Sequence, residues 1–447
     1  MTPIYLRRVS ALLVALSVSA CGPDSPVETL PAGPALQVGP SGAQFEVWLV
    51  DQSSSAGLTY GGTLYVYDGS DLMGEAAASA SPTDVIDLAG AAAALCLGST
   101  GTNPVRPHML FFNSTHTRAV LAFVASGHVV IFDAATRAPV QCIDVGLQAH
   151  AAIPAPDDSY ILVANQNGKL LQRINADFAT NTFTLDAAAT LDLATCVTPN
   201  GTACQDVVLR PDNAPICPII APGSDLAFVT LRGGGLFVVN ARTSPMAIRG
   251  EYDQAAVHPN GCGGIAANGW MFINSGGGTA GNLNEFDLYR FQVSAFSPNA
   301  ANAPNTPAPT VLFSDDVDPR DSHGAALTKL QRYLWVGDRG SNVAEVFDVS
   351  SGARVNTVVL SGTGADDPTP DLIDLAPSGN RLFFSLRGPN PLTGDPHVAT
   401  GSTPGLGVYQ VEADGADARL KAVVRISNLD AGGIERADAH AVRVRRK

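Results

Sequence analysis

Basic residues, long apolar runs and paired cysteine motifs are scarce or missing in this sequence. Lys and Arg number 27 against 41 Asp and Glu in 447 residues, so the formal net charge is -14 at pH 7. This balance argues against a partner bound through nucleic-acid phosphates. Beyond the N-terminal segment no run of 18 or more apolar residues occurs, so no transmembrane helix is expected. The absence of C-x-x-C disfavours zinc ribbons and c-type haem attachment, and no G-x-S-x-G nucleophile motif is present.

Turn-forming residues, in contrast, are abundant. The chain has 44 Gly and 31 Pro, and charged residues make up only 15%. This composition is typical of many short strands joined by turns. A length of 447 residues allows two or three domains or one large β-architecture.

Residues 1–20 have the layout of a secretory signal. Arg7 and Arg8 precede a short apolar stretch at 9–18, and small residues then lead to Cys21. The stretch is too short to span a bilayer. The small residues before a cysteine resemble the bacterial lipoprotein box, which implies cleavage before Cys21 and lipidation of its thiol. An ordinary signal peptide followed by a chance cysteine is the alternative.

Residues 21–44 are rich in Pro and Gly and predict a flexible tether. The resemblance to lipoproteins, with Gly22 rather than Asp after the cysteine, implies sorting to the outer membrane. We therefore expect an exported bacterial lipoprotein, at the outer membrane or on the periplasm-facing cell envelope, whose lipid on Cys21 is its contact with the membrane.

Six cysteines follow Cys21, an even number that suits disulfides in an oxidising compartment. Cys196 and Cys204 bracket one short loop and are the expected local disulfide. The connectivity of the other four stays open, because spacing alone does not decide it: Cys96, Cys142, Cys217 and Cys262.

A unit of four predicted strands repeats along residues 45–447. Each unit has a short opening strand, a turn such as APDD at 155–158, an apolar strand such as YILVAN at 160–165, and two further strands after a Gly-bearing turn. These are hairpin signals with β-branched and aromatic enrichment. One such unit cannot bury both faces, so the units must stack, and four antiparallel strands per unit predict an all-β propeller.

The two ends of the chain complement each other. Three strands near the N-terminus lack an opening strand, and residues 438–447 (DAHAVRVRRK) provide one strand. Joined, they make a complete unit, which predicts seven four-stranded antiparallel blades closed by the C-terminal strand. Closure leaves no free sheet edge.

The segments at 160–174 (YILVANQNGKLLQRI) and 333–360 (YLWVGDRGSNVAEVFDVSSGARVNTVVL) resemble the YVTN-type repeats of bacterial surface propellers, which are similar in fold to the lactonase-like seven-bladed propellers. The resemblance covers most of Phe45–Lys447 and implies the fold, since one fold hosts many activities. Two long insertions depart from the plain repeat, around Asp192–Asn213 and Ser294–Asp321.

Histidine recurs at the opening of the repeat. Aligned on their turns, the units place five of the eight histidines at one position, Asp371 at the sixth and Ile216, beside Cys217, at the seventh; the histidines are His108, His150, His258, His323 and His440. Because the innermost strands of a propeller all run the same way, these residues are expected to line one mouth of the central channel.

A metal site is one hypothesis for this ring, because neutral imidazole binds copper, zinc and iron. Such a ring resembles the copper-cluster site of nitrous oxide reductase and the histidine-lined propeller of selenium-binding protein, a methanethiol oxidase, although neither full motif is present. In this hypothesis Asp371 is either a hard ligand or the group that orients a histidine. Structural hydrogen bonding by the histidines, and binding of a small anion or sugar, are the alternatives.

Weaker signals complete the list of candidates. Three arginines occupy matching places after second strands and are expected to line the mouth or to bond between blades: Arg232, Arg339 and Arg387. An acidic loop before His323 lacks EF-hand spacing and predicts a solvated loop: Asp315, Asp316, Asp318 and Asp321. His116 and His128 are expected to be solvated or bonded to loop groups, and His397 to be exposed.

The function that follows is an exported, lipid-anchored β-propeller, expected to be a monomer, which binds a small molecule, a protein partner or a metal at its histidine-lined mouth. The alternative is a metal-dependent oxidoreductase, or a lactonase-like hydrolase, that uses the histidine ring with copper, zinc or iron.

Overall fold

Seven antiparallel sheets of four strands each make up nearly all of the regular structure, as expected from the repeat. The computed structural model describes residues 44–259, 261–276, 285–300, 306–317, 319–392 and 399–447. The predicted signal at 1–20, Cys21, and the tether apart from Gln44 lie outside the described residues, as do Asp318 and His397.

Each sheet is one blade, numbered here in chain order. Blade 1 consists of β1 (Phe45–Asp51), β2 (Thr63–Asp68), β3 (Asp84–Asp87) and the last strand, β28 (Ala439–Arg446). Blade 2 has β4 (Pro107–Phe112), β5 (Arg118–Phe123), β6 (His128–Asp133) and β7 (Pro139–Asp144). Blade 3 has β8 (Ala149–Pro154), β9 (Tyr160–Asn165), β10 (Leu170–Asp177) and β11 (Thr182–Asp192). Blade 4 has β12 (Pro215–Ile220), β13 (Leu226–Leu231), β14 (Leu236–Asn240) and β15 (Ala247–Tyr252).

The remaining blades follow the same order. Blade 5 has β16 (Gly264–Ala267), β17 (Trp270–Gly276), β18 (Phe286–Gln292) and β19 (Thr310–Asp315). Blade 6 has β20 (Ser322–Leu327), β21 (Tyr333–Asp338), β22 (Val343–Asp348) and β23 (Arg354–Val359). Blade 7 has β24 (Pro370–Leu375), β25 (Arg381–Leu386), β26 (Gly405–Glu412) and β27 (Asp417–Arg425). One α-helix, α1 (Ala91–Thr100), and three single turns of 3-10 helix, Ala77–Ser79, Val293–Ala295 and Ala413–Gly415, complete the described elements.

The turn between the first and second strands has the same backbone in five blades. Its residue with positive φ lies eight positions after the second residue of the first strand. This left-handed conformation suits Gly, Asp and Asn, and an Asp and a Gly occupy it in blades 3 and 7. The five residues are His116, Asp158, Ser224, Gln331 and Gly379. His116 therefore lies in a turn.

Closure of the ring by the two chain ends is confirmed. β28 pairs with β1 in antiparallel register, with Leu49 opposite Val442 and Phe45 opposite Arg446. At the end of this pair, the buried Glu46 carboxylate lies 3.0 Å from Arg445 Nη1 and accepts a hydrogen bond from Trp48 Nε1. Burial alone would raise the pKa of Glu46, but hydrogen bonds from Trp48, Lys447 and Arg445 lower it to about 2. The two chain ends are thus joined by a strand ladder and a buried charge pair.

Three disulfides use all six cysteines of the described residues. Cys196–Cys204 closes the expected local loop inside the first long insertion. Cys96–Cys142 ties α1 to β7, and Cys217–Cys262 ties β12 to the segment before β16. Within the described residues, no helix combines the length and apolarity needed to cross a bilayer.

A substitution at the seam between the chain ends tests whether closure belongs to the cooperative core. Leu49 is fully buried beside Val442 and the blade 7 residues Phe383 and Leu406. Leu49→Ala is expected to lower the free energy of unfolding by about 2–5 kcal/mol, because it leaves a cavity between blades 1 and 7. Urea denaturation measures the loss. The control Val359→Ala, 64% exposed on β23, should change stability by less than about 0.5 kcal/mol; a Leu49 effect no larger than this would contradict a closed ring.

Candidate functional site at the propeller axis

One position of each first strand forms a ring around the axis. First strands of neighbouring blades contact one another, so they lie innermost. In five of them the pairing with the second strand skips the strand's second residue; in β8, for example, Ala149 pairs with Asn165 and Ala151 with Ala164, which skips His150. In β20 the interruption comes one residue later, because His323 pairs with Gly337 and Ala325 with Val336. The interruption is a β-bulge, which turns the side chain away from the pleat. We name the residues at this position the axial ring: His440, His108, His150, Ile216, Cys262, His323 and Asp371, in blades 1 to 7.

Four imidazoles and one carboxylate of this ring are in direct contact. His108 Nε2 lies 3.3 Å from His150 Nε2, and the rings of His108 and His440 have centroids 3.6 Å apart. On the other side of His440, the ring of His323 is 5.6 Å away between centroids. His323 Nδ1 lies 2.6 Å from Asp371 Oδ1. Five of the six predicted site residues therefore come together at one end of the channel.

His258 does not belong to the axial ring. It precedes β16 by several residues, and the register of that strand places Cys262 at the ring position: Asn274 N donates to Gly263 O and Gly264 pairs with Ile273, as Ala151 and Ala152 pair in β8. The alignment on His258 was wrong because the turn after β16 is shorter than in the other blades. The His258 side chain, 40% exposed, instead contacts Glu285 and lies 2.8 Å from Asp287 Oδ2.

The ring carboxylate is charged although it is fully buried. Asp371 Oδ2 accepts from Arg387 Nη1 at 3.1 Å, and Oδ1 accepts from Arg339 Nη1 at 3.5 Å. Burial alone would raise the pKa of Asp371, but the surrounding imidazoles and guanidinium groups outweigh it and hold the pKa well below its usual value. Each arginine also binds the aspartate two residues before a ring histidine: Arg339 binds Asp321, and Arg387 binds Asp438 at 2.6 and 2.8 Å.

The sequence predicts that Arg232, Arg339 and Arg387 line the mouth or bond between blades. Arg339 and Arg387 are buried at the ring and join neighbouring blades through Asp371 and Asp438. Arg232 takes no part; it lies half-exposed against Asp212 and Asn167. In the acidic loop, Asp321 is buried and paired, so it is not a solvated residue.

The protonation of His108 is set by a buried glutamine that the sequence did not single out. Gln52 Nε2 donates to Asp438 Oδ2 at 2.7 Å, which leaves Gln52 Oε1 facing His108 Nδ1 at 2.8 Å. An amide oxygen can only accept, so the proton of a neutral His108 resides on Nδ1. Its Nε2 then presents a lone pair toward His150. Gln52 has no counterpart in the repeat, so no sequence signal could have found it.

Three of the ring imidazoles are neutral near pH 7. Burial lowers the pKa of His323, and burial with repulsion from neighbouring positive groups holds the pKa values of His108 and His440 well below the usual value. His440 Nδ1 is buried without a hydrogen-bond partner among the described residues. His150 is half-buried, which makes it the most accessible of the four. Neutral, convergent imidazole nitrogens are the donor set that transition metals prefer.

The remaining candidates lie elsewhere. His128 is buried, with its ring nitrogens 2.9 Å from the Ser126 and Thr100 hydroxyl groups. A cavity of about 200 Å³ follows the ring along the channel. It is lined by apolar residues of the first strands, by Cys217 and Cys262, and by the buried Arg443.

Comparisons with known proteins support the fold. No family model matches the chain, and no curated protein matches it. A hypothetical selenium-binding protein from Sulfolobus tokodaii matches with 9% identity over 91% of this chain and 94% of its own, at a TM-score of 0.60. The periplasmic gluconolactonase PpgL of Pseudomonas aeruginosa matches with 14% identity over 90% of this chain and 99% of its own, at a TM-score of 0.54. A protein of Lactobacillus plantarum matches with 11% identity over 90% of this chain and 99% of its own, at a TM-score of 0.59. At these identities the likeness establishes a seven-bladed propeller and nothing about activity.

A pH titration tests the separate cluster around His258. Hydrogen bonds with Asp287 and Glu285 raise the pKa of His258 to about 10. A raised folded pKa means that the stabilisation is fully present below pH 6.5 and is lost as pH rises through about 10. His258→Asn should therefore cost about 1 kcal/mol of unfolding free energy at pH 6, a small value because solvent screens the half-exposed ring, and nothing at pH 10.5. Urea denaturation across this range checks it; a cost independent of pH would contradict the charged triad.

Proposed function

We propose that this protein binds a transition-metal ion through the imidazoles of the axial ring. The contact between His108 and His150 carries the proposal. Two imidazole nitrogens that ligate one tetrahedral zinc ion at 2.0–2.1 Å lie about 3.3 Å apart, and the two Nε2 atoms lie 3.3 Å apart. Because Gln52 fixes the proton of His108 on Nδ1, the Nε2 lone pair faces His150 and is the donor that would bind the ion.

The surroundings of the ring have the character of an outer ligand sphere. Metal-binding histidines usually donate their other N–H to a carboxylate or carbonyl, which fixes the tautomer and raises ligand basicity. His108 has this arrangement through Gln52 and Asp438, and His323 Nδ1 lies 2.6 Å from the Asp371 carboxylate. Since both oxygens of Asp371 face arginine, Asp371 serves this proposal as an orienting group and not as a ligand.

The ion itself is copper, zinc or iron, the metals that neutral imidazole accepts. A bound ion could act as a Lewis acid or a redox centre next to the half-buried His150. Both alternative functions, an oxidoreductase and a lactonase-like hydrolase, would therefore use this same site. The likeness in fold to a gluconolactonase makes lactone hydrolysis the first activity to assay. A protein that binds metal without turnover of a lactone would be a binding propeller.

We also infer export and anchoring through a lipid on Cys21. The lipoprotein-like residues at 1–21 support this, and three disulfides that use all six cysteines after residue 44 are typical of an oxidising compartment. A propeller exported in this way would have a lipid contact with the membrane and a soluble ligand at its mouth.

Elemental analysis tests the metal site. Protein purified from a periplasm without a metal-binding tag should carry about one copper, zinc or iron ion per chain, and His150→Ala/His323→Ala should carry none. Gln52→Met should weaken binding of the same ion by roughly 10–100-fold, because the tautomer of His108 is no longer fixed. His116→Ala, in the turn after β4, and Gln172→Met, which contacts Asn165 in blade 3, are the matched controls. Folded wild-type protein that takes up none of the three ions would return the histidines to a structural role.

Metabolic labelling with a radioactive fatty acid tests the anchor. Label is expected on the wild-type chain in the membrane fraction and to be absent from Cys21→Ser, because the thiol is the lipidation site. Cys196→Ser, which breaks only a local disulfide, is the control and should keep its label. Equal release of both variants into the soluble fraction would contradict anchoring through Cys21.

A further inference from the structure

The Cys217–Cys262 disulfide fills the part of the axial ring that has no imidazole. Cys262 is itself the ring residue of blade 5, and Cys217 follows the ring residue Ile216 of blade 4. The two sulfur atoms and a ring nitrogen of His150 lie within 4.8 Å of one another. The disulfide therefore borders the imidazoles directly.

The bonded and the reduced sulfurs differ in what they offer an ion. A disulfide is a poor ligand, whereas two thiolates are strong ligands for zinc and for soft ions such as Cu(I). Two thiolates with one histidine form a Cys₂His set, a donor set with an open fourth position in known zinc sites. His150 Nε2 is 3.3 Å from His108 Nε2, so a second imidazole stands next to this set.

The sulfurs are buried but reachable. Cys217 and Cys262 are 1% and 7% exposed, and both line the cavity of about 200 Å³ along the channel. A cavity of this volume has room for a metal ion beside the two sulfur atoms. It does not admit a protein reductant to the sulfur atoms.

A second disulfide provides the contrast. Cys96 and Cys142 also lie within 4.8 Å of a histidine, His128. Both nitrogens of His128 are engaged by hydroxyl groups at 2.9 Å, and His128 is fully buried away from the axial ring. The two disulfides therefore differ in that a further imidazole and a cavity adjoin Cys217–Cys262.

We propose that the Cys217–Cys262 bond is a redox gate on a second metal site, made of Cys217, Cys262 and His150. A small dithiol transfers two electrons and two protons to the disulfide; the S–S bond breaks, two thiols form, and the dithiol closes to its own disulfide. Binding of a zinc-like or Cu(I) ion then releases the two thiol protons. The inference shares only His150 with the proposed imidazole site, so either can fail alone.

Cobalt(II), a spectroscopic substitute for zinc, is the probe. The full chain is reduced with dithiothreitol, desalted without oxygen and titrated with Co²⁺, and alkylation with mass spectrometry identifies which cysteines are reduced. The reduced protein should bind about one ion with a thiolate-to-cobalt charge-transfer band, and His150→Ala should weaken that binding by roughly tenfold or more. The oxidised protein should show no such band.

Cys217→Ser/Cys262→Ser should abolish the band and Cys96→Ser/Cys142→Ser should keep it. Should the first variant fail to fold, wild-type protein alkylated at Cys217 and Cys262 replaces it. Absence of the band in reduced wild type, its persistence without these two thiols, or unfolding on reduction would each overturn the gate. Binding of Co²⁺ by the oxidised protein reports on the imidazole ring separately, because that signal carries no thiolate band.

Discussion

A single negative charge buried on the axis governs the arrangement of the mouth. Asp371 has no exposed surface, and an unpaired carboxylate there would cost several kcal/mol. Arg339 and Arg387 pair with it, and each guanidinium group also binds a second carboxylate, Asp321 or Asp438, so two cations lie among three anions. The aspartates two residues before His323 and His440 are therefore needed by the arginines. After burial itself, repulsion from the adjacent Arg339 guanidinium group is the next cause that lowers the pKa of His323.

The repeat made most of this mouth predictable. A propeller gives every first strand the same direction, so residues in register must meet at one end, and His108, His150, His323, His440 and Asp371 do. In blades 2, 3, 4, 6 and 7 the ring residue lies ten positions before the first residue of the second strand. The first strand and its turn have the same length in these blades, so the same spacing recurs in the sequence and can be counted there.

The same spacing shows why the prediction that His258 belongs to the axial ring was wrong. His258 lies 12 residues before β17, whereas Cys262 lies eight before it, because the Asn268–Gly269 turn is tight. Spacing to the second strand, and not residue type, identifies the ring residue of blade 5. Other features had no sequence signal of any kind: Gln52 reaches His108 from a loop outside the repeat, and the Cys217–Cys262 pairing depends on which blades are neighbours at the axis. Contacts between blades depend on how the closed ring brings the blades together, so the residue pattern of a single blade does not predict them.

The axial ring also fastens the blades in sequence around the axis. Blades 4 and 5 are joined by Cys217–Cys262, blades 6, 7 and 1 by the charges around Asp371, and blades 1, 2 and 3 by the contacts of His440, His108 and His150. The imidazole contacts are the weakest of these links, since neutral rings offer one hydrogen bond between them at most. An ion shared by His108 and His150 would strengthen that link, because a ligand that binds only the folded state adds about 4 kcal/mol at a thousand times its dissociation constant. The free energy of metal binding at the mouth would then also stabilise the contact between blades 2 and 3, because the two ligands come from different blades.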